Sequence, residues 1–246
     1  MNYQDPLYET TLLFWAVGME KYNSAEALLK AGANPDIISI CEGGTALYRA
    51  AGFSFIDFKA KEDAKYVKLL LEYGADPNIG FIGNDHNNSA EIGTTPLMRS
   101  IGCGIGKTKA LVEAGADINA KVPSGRTAAV CALWLAEGAR NSVDIEIELM
   151  EYAYYLIAEK RADISEPYSI VMKNTDLLGE PTHYPVTSLR EWLPVLNKDG
   201  HKIKMEIVDE FSRQGVNYWF ADIPTRTLEH IKVLYPDTWE EYIRRY

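Results

Sequence analysis

The chain has 246 residues, 47% of them hydrophobic, 24% charged and 11% aromatic, a profile that excludes disorder over most of its length. Its 25 Lys and Arg stand against 35 Asp and Glu, a net charge of −10 that repels phosphate backbones and argues against nucleic acid as a partner. Three scattered cysteines, Cys41, Cys103 and Cys131, form neither a disulfide framework nor a paired zinc motif, and the longest apolar run, Thr127 to Ala136, is too short to span a bilayer.

The first residues, with Asn2, Gln4 and Asp5, carry no secretory signal. A soluble, cytoplasmic protein is therefore expected, or a periplasmic or lipid-anchored one if a leader has been removed. From Thr11 the chain alternates two kinds of block. The first kind is a heptapeptide that opens on threonine: Thr11–Val17, Thr45–Ala51, Thr95–Ile101 and Thr127–Leu133. Gly43, Gly93 and Gly125 stand two residues ahead of the last three threonines. A threonine hydroxyl ahead of apolar and small residues predicts an N-capped helix that packs closely against neighbours.

The second kind of block follows each heptapeptide: Ala27–Asn34, Leu69–Asp76, Ala110–Asp117 and Leu156–Asp163. Three of these end a helix on Gly32, Gly74 and Gly115, as expected where the backbone turns left-handed. In the fourth, Arg161 replaces the glycine, which predicts a strained or reshaped helix end. One such pair cannot bury its own apolar face, so the pairs must stack. The threonine spacing of 34, 50 and 32 residues places extra chain in the second pair, at Phe53 to Ala64 and Ile79 to Gly93.

Later segments are more worn. Thr187–Leu193 and Ile207–Asn217 read as a fifth pair closing on Gly215, and Thr227–Leu234 and Thr238–Tyr246 as short capping helices. Between them and the fourth pair, the proline-rich stretch from Glu166 to Pro185 reads as an irregular loop.

These paired blocks resemble the TPLHxAA and LLxxGADxN elements of the ankyrin repeat, matched in order four times between Thr11 and about Ser165. The resemblance implies an all-α solenoid of four repeats with short hairpin-like loops, spanning 1–165. Residues 166–246 would form a degenerate fifth repeat and a C-terminal cap continuous with it.

Several segments invite other chemistry. Ile101-Gly-Cys-Gly-Ile-Gly-Lys-Thr108 approaches a phosphate-binding loop, but isoleucine holds the position of the first glycine and no strand leads into it. A tight turn between two helices, with Lys107 solvated, is the expectation there. His86, His183, His201 and His230 lack metal-ligand spacing, and no nucleophile motif occurs. Neither a catalytic residue, nor a metal, nor a cofactor is assigned.

The ankyrin resemblance implies a concave face formed by the first helices and hairpin tips. It nominates Trp15, Met19, Arg49, Phe53, Arg99 and Trp134 as partner-binding residues, types that dominate interface energetics; packing of Trp15, Phe53 and Trp134 against inserted segments or neighbouring repeats is an equal alternative. Asp85 and His86, in the polar loop Gly83–Ser89, are nominated as a projecting finger. Asp144, Glu148 and Glu151 form an acidic helix stripe, which a basic partner surface or plain solvation would explain. The expected function is non-enzymatic protein binding. Similarity to short, irregular bacterial ankyrin proteins, some of which accompany secreted toxins such as antibacterial phospholipases, implies an immunity protein whose partner is such a toxin. A host-directed effector, or an enzyme built on Glu166 to Tyr246, are the alternatives.

Overall fold

The computed structural model describes residues 2–7, 9–83, 90–138, 143–169, 183–194 and 198–245. The described part is all-α, with isolated antiparallel bridges and no sheet. It divides into two compact units, Met1–Pro123 and Ser124–Tyr246.

In the first unit the threonine blocks become helices α1 (Leu12–Gly18), α3 (Ala46–Ala51) and α5 (Pro96–Ser100). Each begins where threonine satisfies an orphan N–H: Thr11 Oγ1 accepts from Phe14 N, Thr45 from Tyr48 N and Thr95 from Met98 N, at 3.1–3.3 Å. Their partners are α2 (Tyr22–Lys30), α4 (Lys65–Glu72) and α6 (Ile105–Glu113). The glycines after these partners, Gly32, Gly74 and Gly115, have φ of 88°, 83° and 89°. A Cβ at any of them would meet nothing within 4 Å. Glycine is needed there for backbone conformation alone.

These pairs stack side by side, α1 against α3 against α5 and α2 against α4 against α6. Leu13, Leu47, Leu70, Leu97 and Leu111 fill the seams and are at most 2% exposed. A polar ladder runs along the edge of the stack. Asn2 Oδ1 accepts from Asn34 N (2.9 Å), Asp36 Oδ1 from Asp76 N (2.9 Å) and Asn78 Oδ1 from Asp117 N (2.7 Å). Each rung satisfies a loop amide of the following pair, so the stacking register is fixed by hydrogen bonds as well as by packing.

The second unit opens with α7 (Ala128–Gly138), capped by Thr127 Oγ1 accepting from Val130 N at 3.3 Å. Then follow α8 (Val143–Ala153) and a π-helical turn, Tyr154–Glu159. Arg161 stands where the other pairs have glycine and takes φ 58°, so the left-handed turn survives without the residue that makes it easy. The worn fifth pair is α9 (Pro185–Arg190), packed on α7, and α10 (Asp199–Arg213), packed on α8. Its first helix starts two residues before Thr187, on a proline pre-set for the first helical turn. Its second starts at Asp199, ahead of the expected Ile207. Gly215 again adopts a left-handed φ of 81°. Beside it, Gln214 accepts from Ile164 N and donates to the Ala162 carbonyl, tying the two pairs together. Helices α11 (Thr225–Leu234) and α12 (Trp239–Arg245) close the unit around Ile231 and Tyr242, 0% and 2% exposed. Among the described residues no helix is long and apolar enough to cross a membrane.

Candidate functional site

The extra chain between α3 and α4 makes the first unit's surface irregular. Residues Phe53 to Ala64 fold back on themselves, with Ser54 N donating to Lys59 O at 2.9 Å and Phe58 N to Ser54 O at 3.1 Å. Phe55 drops onto α1. A Cβ at Gly18 would lie 2.9 Å from its ring, so glycine is what lets the insertion close down. The Arg49 guanidinium lies 3.4 Å from the ring centroid and also donates to the Phe53 carbonyl. Burial, followed by the neighbouring Arg99 charge, pushes Arg49 down to about 10.

Between the insertion and the helices lies a cavity of about 100 Å³. Arg49, Lys61, Lys65 and Lys107 line it together with Glu20 and Asp63. Lys107, expected in solvent, is instead 3% exposed, and its Nζ donates to the Gly52 carbonyl at 3.0 Å. The acceptor is 55 residues away and the covering segment is the insertion, so no local pattern announced this burial. Removal from water lowers the lysine's pKa. The turn expected at Gly102–Gly104 is present, with φ of 76° and 135°. Nucleotide-sized ligands occupy roughly 300–1,000 Å³, so the space beside Lys107 is too small for one.

Across the C-terminal end of α1 from this cavity runs an open apolar groove of about 630 Å³, lined by Leu12, Trp15, Met19 and Leu28 among others. Gly18 and Glu20 face the cavity while Met19 faces the groove. Trp15, Met19 and Phe53 are 37%, 44% and 49% exposed. These three nominated residues present apolar surface to solvent. Ile56 and Phe58, further along the insertion and also exposed, were missed because insertions carry no repeat register from which to read them.

The other nominated residues are placed differently. Arg49 is buried in the cavity wall, and Arg99 is half-buried with its guanidinium 4.8 Å over the Tyr48 ring. Both cations hold ring faces within the stack. Burial pushes the Tyr48 hydroxyl up, against the Arg99 charge. Trp134, in the second unit, donates from Nε1 to the Tyr168 hydroxyl at 2.6 Å, and Tyr168 in turn contacts Ser188 Oγ at 3.0 Å. Glu148 and Glu151 are exposed on α8. Asp85 and His86 lie outside the described residues, as does the side chain of Asp144.

Burial raises the Cys103 thiol, which keeps it protonated and unreactive. Among the described residues no group of three or more His, Cys, Asp or Glu could hold a metal ion.

No family model matches the chain. It is similar to the protein PhlB of Serratia liquefaciens, 34% identical over 93 residues. That stretch is 38% of this chain and 34% of PhlB, so the chain spans about a third of the length of this relative.

Proposed function

We propose that the chain is a non-enzymatic protein-binding module of the ankyrin-repeat type, and that it acts as a bacterial immunity protein by holding a cognate secreted toxin. The observation that carries the reading is the open apolar groove bearing Trp15 and Met19, with Phe53 also exposed nearby in the first unit, set on a stack whose backbone is held by threonine caps and the Asn/Asp ladder. Large apolar side chains on a rigid scaffold lose little entropy when covered, and that preorganisation is where such modules gain affinity. The partial likeness to a protein of Serratia liquefaciens is in keeping with a bacterial setting. In this reading the acidic Glu148 and Glu151 meet a basic patch of the toxin and speed its capture.

The test is affinity capture of the tagged chain from its native cells, with identification of the co-purifying protein. A toxin that harms cells lacking this chain and spares cells expressing it is the expected result. Capture of a host-cell protein instead would favour an effector, and hydrolytic turnover by the isolated chain would overturn the non-enzymatic reading.

A further inference from the structure

The cavity under the insertion holds an excess of positive charge in a chain whose total is −10. Its charges are unevenly answered. Lys61 pairs with Asp57 at 2.6 Å and Lys65 with Asp63 at 3.1 Å. Glu20 accepts a hydrogen bond from Ser54 Oγ at 2.5 Å, and the Arg49 guanidinium sits 3.4 Å over the Phe55 ring. Lys107 Nζ donates to the Gly52 carbonyl; among the described residues it makes no ion pair, and the Glu62 and Asp63 charges act on it from farther away.

An ammonium carries three N–H donors, and one of these is committed to Gly52. Keeping such a group 3% exposed without a directly paired carboxylate is unfavourable in an isolated fold. A desolvated cation in a cleft is a candidate ligand site. About 100 Å³ admits one small polar group. With Glu20 and Asp63 already on the wall, a single negative charge balances the site better than a dianion would.

We propose that this cavity receives a carboxylate side chain of the partner protein, with the Lys107 ammonium as its counter-ion. The inference rests on the protein-binding reading above and adds the chemistry of one contact. An acidic residue of the partner would enter across α1 from the apolar groove, so that Trp15 and Met19 supply area while Lys107 selects charge. Such an arrangement also discriminates among partners, since a neutral or cationic side chain in that position would leave buried charge unanswered.

The experiment follows the lysine side-chain carbon and nitrogen signals of the full chain by NMR at constant ionic strength. The probes are a doubly capped glutamate, the equivalent capped glutamine, and inorganic phosphate. A saturable shift of the Lys107 signals with capped glutamate, absent with capped glutamine, is expected. In Lys107→Met the same probe should leave the remaining lysines unshifted. If that variant does not fold, the contrast between the two capped probes in the unaltered chain decides the matter. No saturable shift, or an equal response to glutamine, would overturn the proposal, and a response to phosphate in place of glutamate would reassign the cavity to a phosphate group. A glutamate response without any captured partner would leave the cavity standing as a carboxylate site and remove the partner as its source. A captured partner without a glutamate response would defeat this inference alone.

Discussion

The side-chain oxygen of Asn78 accepts from the backbone N–H of Asp117 at 2.7 Å, while the Asn78 amide donates to the Gly115 carbonyl at 3.3 Å. One exposed residue thus ties the loop after the second helix pair to the loop after the third. Asn78→Ala would release both groups to water. A net hydrogen bond contributes about 0.5–1.5 kcal/mol, so a loss of about 1 kcal/mol in urea unfolding is expected. Partner capture should stay at the level of the unaltered chain, because the ladder runs apart from Trp15 and Phe53. A stability change indistinguishable from zero would mean that water replaces the rung without cost.

Arg161 offers the opposite experiment. Its φ of 58° places a Cβ-bearing residue in a conformation that disfavours L-residues by roughly 1–2 kcal/mol. Gly32, Gly74, Gly115 and Gly215 take the same turn with glycine. Arg161→Gly is expected to raise stability by about 1 kcal/mol, read as a higher urea midpoint with an unchanged slope. A lowered midpoint would show that the arginine side chain contributes more than the turn costs.

Most of the helix-pair pattern was legible because its signals are local. A threonine cap, an apolar helix and a left-handed glycine act within one or two turns of chain, and Thr11, Thr45, Thr95 and Thr127 all cap as read. The fifth pair was misplaced at its edges because Pro185 starts its first helix in place of a threonine. The candidate site was less legible. Lys107, Arg49 and Arg99 find their partners through the insertion and the neighbouring pair, contacts that depend on tertiary packing. The cavity beside the end of α1 is walled by Phe55 settled on Gly18, a contact 37 residues apart in sequence that no spacing encodes.

The two tryptophans nominated alike now separate. Trp15 lines an open groove, whereas the Trp134 indole N–H is held by the Tyr168 hydroxyl. Trp15→Ala should weaken partner capture at least tenfold, the loss of about 1.4 kcal/mol or more expected of an aromatic anchor, with a thermal midpoint close to the original. Trp134→Phe should leave capture intact and lower stability by about 1 kcal/mol through loss of the hydrogen bond. The reverse pattern, with Trp15 governing the melt and Trp134 governing capture, would move the binding face to the second unit.

Tyr218 gives the second unit a signature in alkaline solution. Its side chain is fully buried, with the Arg190 guanidinium 4.2 Å over the ring. Burial pushes the hydroxyl up to about 12, against the opposing pull of the Arg190 charge. In the unfolded chain the same group ionises near pH 10. Between these values the unfolded chain has released a proton that the folded one retains, so stability falls as pH rises through the window. At roughly 1.4 kcal/mol per unit of pKa difference, the loss attributable to Tyr218 approaches 2–3 kcal/mol by about pH 12. Arg49, lowered to about 10, contributes with the opposite sign over the same range, so the comparison must be with Tyr218→Phe, in which the Arg49 contribution is unchanged. Urea unfolding of the two proteins from pH 9 upward should run parallel below pH 10 and diverge above it, the original chain losing stability faster. Parallel curves throughout would mean that Tyr218 ionises as readily in the folded chain as in the unfolded one, and that water reaches its hydroxyl.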